Sequence, residues 1–285
     1  MTPSGRNSNV QGMPGFMRGK ADRKSKADRQ FVTALARGLD VLRVFGPGET
    51  LANSEIAART NLPRPTISRL TYTLTKLGYL THEPAAERYR PSSAVLSLGY
   101  GAVAGTDFRA VARPHMQRIA DFARSSCALG NCHGLEMIYV ENCRGKDAPF
   151  TLGLDVGSRI PLTNTAMGRA YLAGLDLKAR ADLLKALARH HGGRWKALQI
   201  GLDRAFADYA RHGFVLSVAE WTPEINSVAV PLTFPGLDGI MSINCGGAAS
   251  LLSPERLRKE IGPRLLEAKR QIEMISSPRR EARRA

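Results

Sequence analysis

Apolar positions recur at helical spacing from Ala34 onward. Leu35, Leu39, Leu42 and Phe45 follow at i, i+4, i+7 and i+10, with Val41 alongside, and Gly46-Pro47-Gly48 ends the run. A second helix is predicted from about Asn53, a good N-cap residue, to Thr60-Asn61, with Ile56 and Ala57 inward. A third starts at Pro65, carries Ile67, Leu70, Leu74 and Leu77 as its buried stripe, and stops at Gly78. "YLTHE" and "ERYRP" then flank Pro84-Ala85-Ala86 and predict a hairpin, too small to stand without packing on the helices. Residues 92–125 read as helix again, in two pieces.

Beyond that link, strands and helices alternate. "LEMIYVENC" and "FTLGL" read as strands, "TAMGRAYLA" (165–173) as a short helix, and 176–189 and 194–211 as longer ones. Three more strand-like runs, "GFVLSV", "INSVAVPLTF" and "GIMSINC", precede an amphipathic closing helix over 253–276. Strands joined by short links, with helices gathered between and after them, predict an antiparallel α+β domain. The predicted organisation is a disordered basic arm over 1–29, a helix-and-hairpin domain over 30–91, a linker helix over 92–108, the α+β domain over 109–276 and a basic tail over 277–285.

Composition narrows the function classes. The N-terminus has no apolar signal-peptide core, and no apolar run approaches the roughly 18 residues of a membrane span, so a cytoplasmic protein without membrane partners is expected. The net charge is +16 and favours a polyanionic partner. Residues 1–90 hold 15 Lys/Arg against 7 Asp/Glu, and residues 1–29 alone hold 7 against 2. The cysteines Cys127, Cys132, Cys143 and Cys245 form no C-x-x-C pair, so no metal site is expected and reduced, buried thiols are.

Three helices followed by a hairpin is the order of a winged helix-turn-helix. In that module the third helix enters the major groove by its N-terminal end, where Arg and hydroxyl donors meet phosphates and base edges. Arg64, Pro65, Thr66, Ser68, Arg69 and Tyr72 lie off the predicted stripe at that end, with Thr71 and Lys76 also placed outward. Arg88 and Arg90 alternate about Tyr89 on the hairpin and would share one face. Double-stranded DNA is therefore the expected partner. A protein-interaction module with ordinary surface arginines is the alternative.

No catalytic constellation accompanies this module. There is no G-x-S-x-G elbow and no P-loop, and "GYGAVAG" misses dinucleotide spacing by one residue. Cys132 and His133 are strand neighbours and point to opposite faces. His190-His191 reads as a solvated helix end, and Glu220 and Glu224, flanking Trp221, as the rim of a polar pocket. A ligand-responsive regulator without cofactor or enzymatic activity is expected, the alternative being an enzyme or small-molecule carrier with a fused DNA-binding module.

Five runs in this order resemble the IclR-type transcriptional regulators: "ARGLDVLRVF", "SEIAARTNLPRPTISRLTYTLTKLGYL", "ERYRPSSAVLSLG", "VGSRIPLTNTAMGRAYLAG" and "HGFVLSVAEWTPEINSVAVPL". The resemblance covers about residues 31–275. It implies a C-terminal GAF-like effector-binding domain with a curved antiparallel sheet, and a homodimer or homotetramer on a partly palindromic operator. Carried over by position, the effector-binding residues would be Ala128, Gly130, Ser217, Ser227, Ser242 and Asn244. Family members that take small keto acids have Asp and Cys where this chain has Ser217 and Ser227, which separates it from that effector class. Ala52 replaces the Thr that usually caps the second helix. From the hydroxyl and amide donors on these strands, the effector is expected to be a small organic acid, aromatic acids included.

Overall fold

The structure, a computed structural model, describes residues 30–46, 48–104, 108–148, 153–234 and 239–276. The arm over 1–29, the tail over 277–285 and residues 150–152 of the strand expected at "FTLGL" lie outside them, and Gly153 and Leu154 are not in a strand. The residues up to Ala104 make one compact unit and those from Phe108 a second.

The first unit holds α1 (Thr33–Arg43), α2 (Asn53–Thr60), α3 (Arg64–Lys76), the hairpin β1 (Leu80–Glu83) and β2 (Arg88–Pro91), and α4 (Ser93–Ala104). Its core is small: Val41, Leu51, Ile56, Ile67, Leu74 and Leu80. Leu51, between α1 and α2, exchanges two backbone hydrogen bonds with Tyr89 of β2 (2.9 and 2.8 Å), which fastens the hairpin to the helices. Asn61, at φ 54°, turns α2 into α3. Gly78, at φ +80°, ends α3, its N–H donating to Thr75 O and that of Tyr79 to Leu74 O.

Three local expectations are corrected. Leu35 and Leu39 of α1 are 63% and 49% exposed, because only the end of that helix, at Val41, packs inward. On α3 the stripe is rotated: Leu77 is 63% exposed while Thr71 is fully buried. Burial of Thr71 is tolerated because its hydroxyl lies 3.0 Å from Ile67 O and 3.1 Å from Asn53 Oδ1. Asn53 is therefore not the N-cap of α2. That position is Ala52, which has no side-chain acceptor; the Glu55 carboxylate takes the Ala52 N–H at 2.7 Å, half of a capping box, and the Glu55 N–H bonds Ala52 O at 3.0 Å.

The second unit comprises α5 (Phe108–Ala123), β3 (Ser126–His133), β4 (Glu136–Arg144), β5 (Arg159–Pro161), α6 (Ala166–Gly174), α7 (Leu177–His191), α8 (Trp195–His212), β6 (Val215–Val218), β7 (Ile225–Thr233) and β8 (Ile240–Ala248). A turn at Pro254–Arg256 passes through a π turn, Leu257–Ile261, into α9 (Gly262–Ser276). The six strands form one antiparallel sheet in the order β5-β4-β3-β8-β7-β6. One face packs Leu129, Cys127, Cys245, Ile243, Val228 and Val230 against Met116, Ile119, Leu265 and Ile272 of α5 and α9. Cys127, Cys143 and Cys245 are buried here, and desolvation raises the pKa of each thiol. None of the helices among the described residues is long and apolar enough to cross a membrane.

On the other face α6 is fixed by a buried charge. Arg169 is 2% exposed, and its guanidinium forms a bidentate pair with Glu220 (2.9 and 2.6 Å) while its Nε donates to Thr163 O at 2.8 Å. Gly201 of α8 makes the room: a Cβ there would stand 2.2 Å from Arg169 Nη2. Glu220, expected at a pocket rim, is thus the counter-charge of a core arginine. Glu220→Ala would strand that cation and is expected to cost about 3 kcal/mol or more in a chemical denaturation curve. Glu255→Ala, which breaks an exposed pair with Lys259, is expected to cost about 0.5 kcal/mol or less.

Candidate nucleic-acid interface and ligand cleft

The solvent face of α3 carries Arg64, Pro65, Ser68, Arg69 and Tyr72, all exposed, with Thr66 half-buried beside them. Arg64, Ser68, Tyr72 and Lys76 follow at i, i+4 spacing, and the Lys76 ammonium sits 5.6 Å from the Tyr72 ring centroid. Ser68 lies within 3.5 Å of Asn53 Nδ2, so Asn53 ties the start of α2 to both Ser68 and Thr71. The sequence of α3 contains no acidic residue, and among the described residues no carboxylate pairs with Arg64 or Arg69.

The hairpin arginines are placed differently. Arg88 donates to Thr50 O at 2.8 Å and pairs with Glu55 at 2.8 Å, bracing β2 against α2. Arg90 is exposed but bonds Glu83 across the hairpin at 2.9 Å. Arg59 is likewise held by Glu49, whose carboxyl it keeps below the usual carboxylate range. Arg64, Arg69 and Lys76 of α3 thus stand on one helix without a carboxylate partner among the described residues, the arrangement that phosphates and base edges require.

In the second unit strand register decides which face of the sheet each expected effector-site residue shares. Three cross-strand rows lie on the face opposite α5 and α9. They are Asn142–Ala128–Asn244–Ala229, Arg144–Ser126–Gly246–Ser227–Ser217, and Tyr139–Gly130–Ser242–Pro231. All six residues of the expected effector set therefore share one face of the sheet. A narrow cleft on it, about 10 Å³ and so no roomier than one water molecule, is lined by Ser126, Ala128, Tyr139, Asn142, Leu154, Asn244 and Gly246. Ala128 and Asn244 are the members of that set that line it.

The other four are placed as follows. Gly130 does allow a close approach, but by Met167 of α6, whose sulfur lies 2.3 Å from where a Cβ would be. Ser242, in the same row, is fully buried. Ser217 spends its hydroxyl on Asn164 O at 2.8 Å. Ser227 is 8% exposed beside Gly246. The "ALGNC" strand and β8 thus supply the floor of the cleft, and α6 covers the Gly130 row.

Sequence reasoning missed Tyr139 and Asn142, and the reason is geometric. Residues three apart on a regular strand face opposite sides. Here Leu129 opposes Glu141 and Gly130 opposes Tyr139, so Val140 is an extra residue, and this bulge turns both Tyr139 and Asn142 into the cleft. The same bulge buries Glu141 on the opposite face, where Arg109 and Arg113 of α5 hold it at 2.8 and 2.7 Å. Ser126 and Gly246 were within reach of simple alternation, being two residues from Ala128 and Asn244.

The cleft has a definite polarity. Burial raises the Tyr139 pKa to about 12, the neighbouring Asn244 amide partly opposing, so the phenol stays a protonated donor at neutral pH. Asn142 Nδ2 donates to Leu154 O at 3.0 Å, while Asn142 Oδ1 and Asn244 Oδ1 are buried with no partner among the described residues. Buried, unpaired amide oxygens are costly and mark a place where a ligand can supply donors. Among the described residues no cluster of three or more His, Cys, Asp or Glu could hold a metal.

Comparison with known proteins gives a consistent result. The family pattern of the IclR helix-turn-helix domain matches residues 34–84, and that of the bacterial transcriptional regulator IclR C-terminal domain matches 100–274. The chain is 29% identical over 263 residues to the HTH-type transcriptional regulator TsaQ1/TsaQ2 of Comamonas testosteroni, covering 92% of this chain and 94% of that one. It is 27% identical to the Pca regulon regulatory protein of Pseudomonas putida, over 86% of this chain and 84% of the other. The crystal structure of an IclR family transcriptional regulator from Brucella abortus superposes with a TM-score of 0.80 at 41% identity, covering 88% and 95% of the two chains.

The two arginine environments separate experimentally. Arg69→Ala is expected to weaken binding to a specific DNA site by about 1–3 kcal/mol in a gel-shift titration, with the melting temperature unchanged. Arg88→Ala removes the tie between β2 and α2 and is expected to destabilise the first unit by about 1 kcal/mol, seen by thermal denaturation without DNA. Equal DNA-binding loss and equal melting for the two variants would contradict this division.

Proposed function

Since the chain belongs to the IclR family of bacterial transcriptional regulators, and so is a DNA-binding regulator of transcription, we propose that its operator binding is controlled by a small organic acid, aromatic acids included, held in the cleft of the second unit. The observation that carries this reading is a cleft where the Tyr139 hydroxyl can donate to a carboxylate and the buried, unpartnered oxygens of Asn142 and Asn244 can accept from the ligand's hydroxyl or amine substituents. Polar atoms left unmatched inside a protein cost stability, and a ligand that matches them recovers it on binding. Ala128 and Gly246 provide a flat floor for an apolar ligand body, Ser126 and Ser227 add hydroxyls at one side, and α6 closes the other. The ligand acts as a signal and is not turned over, and the protein works in the cytoplasm, where its DNA is.

On DNA, Arg64, Pro65, Thr66, Ser68, Arg69 and Tyr72 of α3 form the reading surface, with Arg90 of the hairpin toward the backbone and Arg88 behind it. A single winged module reads few base pairs, and two copies on paired half-sites extend the reading. Leu96 and Leu98 of α4 are 74% and 56% exposed, and Leu35 of α1 is 63% exposed, more apolar surface than an isolated helical unit should show. These side chains form the homodimer contact, alone or within a homotetramer.

Calorimetry with a panel of small carboxylic acids tests the cleft. Tyr139→Phe and Asn244→Ala are each expected to weaken the best acid by about 1–3 kcal/mol and to blunt its effect on DNA affinity. Wild-type binding by both variants would place the effector elsewhere. For assembly, Leu96→Glu is expected to shift the protein toward monomer in light scattering at micromolar concentration, and an unchanged mass would remove α4 from the interface.

A further inference from the structure

Arg144 stands at the end of β4, two residues beyond Asn142, so both side chains leave the sheet on the cleft side. Its register partner is Ser126, a lining residue of the cleft. Its guanidinium is 46% exposed and pairs at 3.0 Å with Asp155, itself 65% exposed. Asp155 directly follows Leu154, which lines the cleft and whose carbonyl is held by Asn142.

The segment after it is anchored independently. Gly157 N–H donates to Tyr139 O at 2.8 Å and Tyr139 N–H to Ser158 O at 2.9 Å, so the far end of this turn is an extension of the sheet. Leu154 and Asp155 are thus the part of the turn that reaches the cleft: Asn142 holds the Leu154 carbonyl, Arg144 holds the Asp155 carboxylate, and two bonds to Ser158 (Asp155 N–H to Ser158 Oγ and Ser158 N–H to Asp155 O, 2.9 Å each) close the turn behind them. The other cations borne by or facing β4 are committed: Arg109 and Arg113 to Glu141 on the opposite face, and Arg159 to Glu136 at 3.1 Å. A carboxylate paired with a solvent-exposed guanidinium is readily exchanged for another carboxylate, and an incoming one that also fills the cleft has the advantage.

We propose that Arg144 is the anion-receiving group of the cleft, and that Asp155 holds it as a resident carboxylate until a small organic acid displaces it, which releases the side-chain tie between β4 and the Leu154–Asp155 turn and widens the cleft. This rests on the reading of the cleft as the effector site. It assigns the acid's charged end to the Arg144 side, its body to the floor of Ala128 and Gly246, and its polar substituents to Asn142 and Asn244. It also makes the effector's charge, rather than its shape alone, the feature that moves the protein.

The test uses the full-length protein and three probes, benzoate, phenylacetate and lactate, each beside its uncharged amide, followed by thermal shift and calorimetry. An acid is expected to bind wild type more tightly than its amide. Arg144→Gln is expected to weaken that acid about tenfold and to leave the amide within about twofold, while Asp155→Asn strengthens the acid by about three- to tenfold. Both side chains are exposed, so both variants should keep the wild-type melting temperature without ligand. An acid whose affinity survives Arg144→Gln and is untouched by Asp155→Asn overturns this proposal and leaves the cleft as effector site standing. If none of the acids binds even Asp155→Asn, the acid reading of the cleft falls as well.

Discussion

A guanidinium that is 2% exposed decides where the second unit can bind anything. Arg169 is tolerable there only because Glu220 meets it with two charge-assisted bonds and Thr163 takes the Nε proton. Those partners come from the loop before α6 and the segment after β6, and Gly201 of α8 leaves the space they converge on. The result is that α6 has one position on the sheet, with Met167 over Gly130. What α6 covers is core. What it leaves open, from Tyr139 past Ala128 and Asn244 to Gly246, is cleft.

The sheet itself is made for two different faces. Toward α5 and α9 it presents Leu, Ile, Val and Cys, which need no polar partner. Toward the cleft it presents Ser, Ala, Gly and Asn, which are small enough to leave a hollow and carry hydrogen-bonding groups along it. The bulge at Val140 joins the two requirements. It admits Tyr139 and Asn142 to the cleft together, and it buries the Glu141 carboxylate where two arginines of α5 neutralise it. A change on one face of β4 is thereby coupled to α5, the first helix of this unit.

In the first unit, charge pairing sorts the arginines by role. Arg59 and Arg88 are paired with Glu49 and Glu55 and brace the fold, whereas α3 keeps its cations without carboxylate partners among the described residues. A helix bearing uncompensated positive charge and short hydroxyl side chains on one face is a poor generic surface and a good partner for a polyanion.

By itself the sequence determined the winged helix-turn-helix and most helices and strands of an antiparallel α+β domain, because apolar periodicity and turn residues act over a few neighbours and need no knowledge of the rest of the chain; β3 and β5 were not predicted from it. Alternation also put Ser242 and Asn244 on one side of their strand, whereas Ala128, Gly130, Ser217 and Ser227 were named from the family resemblance, and only the register of the strands shows that all six share a face. Tertiary structure alone decided what covers each apolar or polar face. Leu35, Leu39 and Leu77 read as core and stand exposed, while Thr71 reads as surface and is buried. The opening of the cleft was likewise not legible. Tyr139 and Asn142 enter it through a bulge that only the pairing of β3 with β4 creates, and Gly130 and Ser242 leave it because α6 is pinned over them by Arg169 and Glu220, residues 51 apart in the chain. Periodicity reports the local direction of a side chain, and function here depends on which distant element that side chain meets.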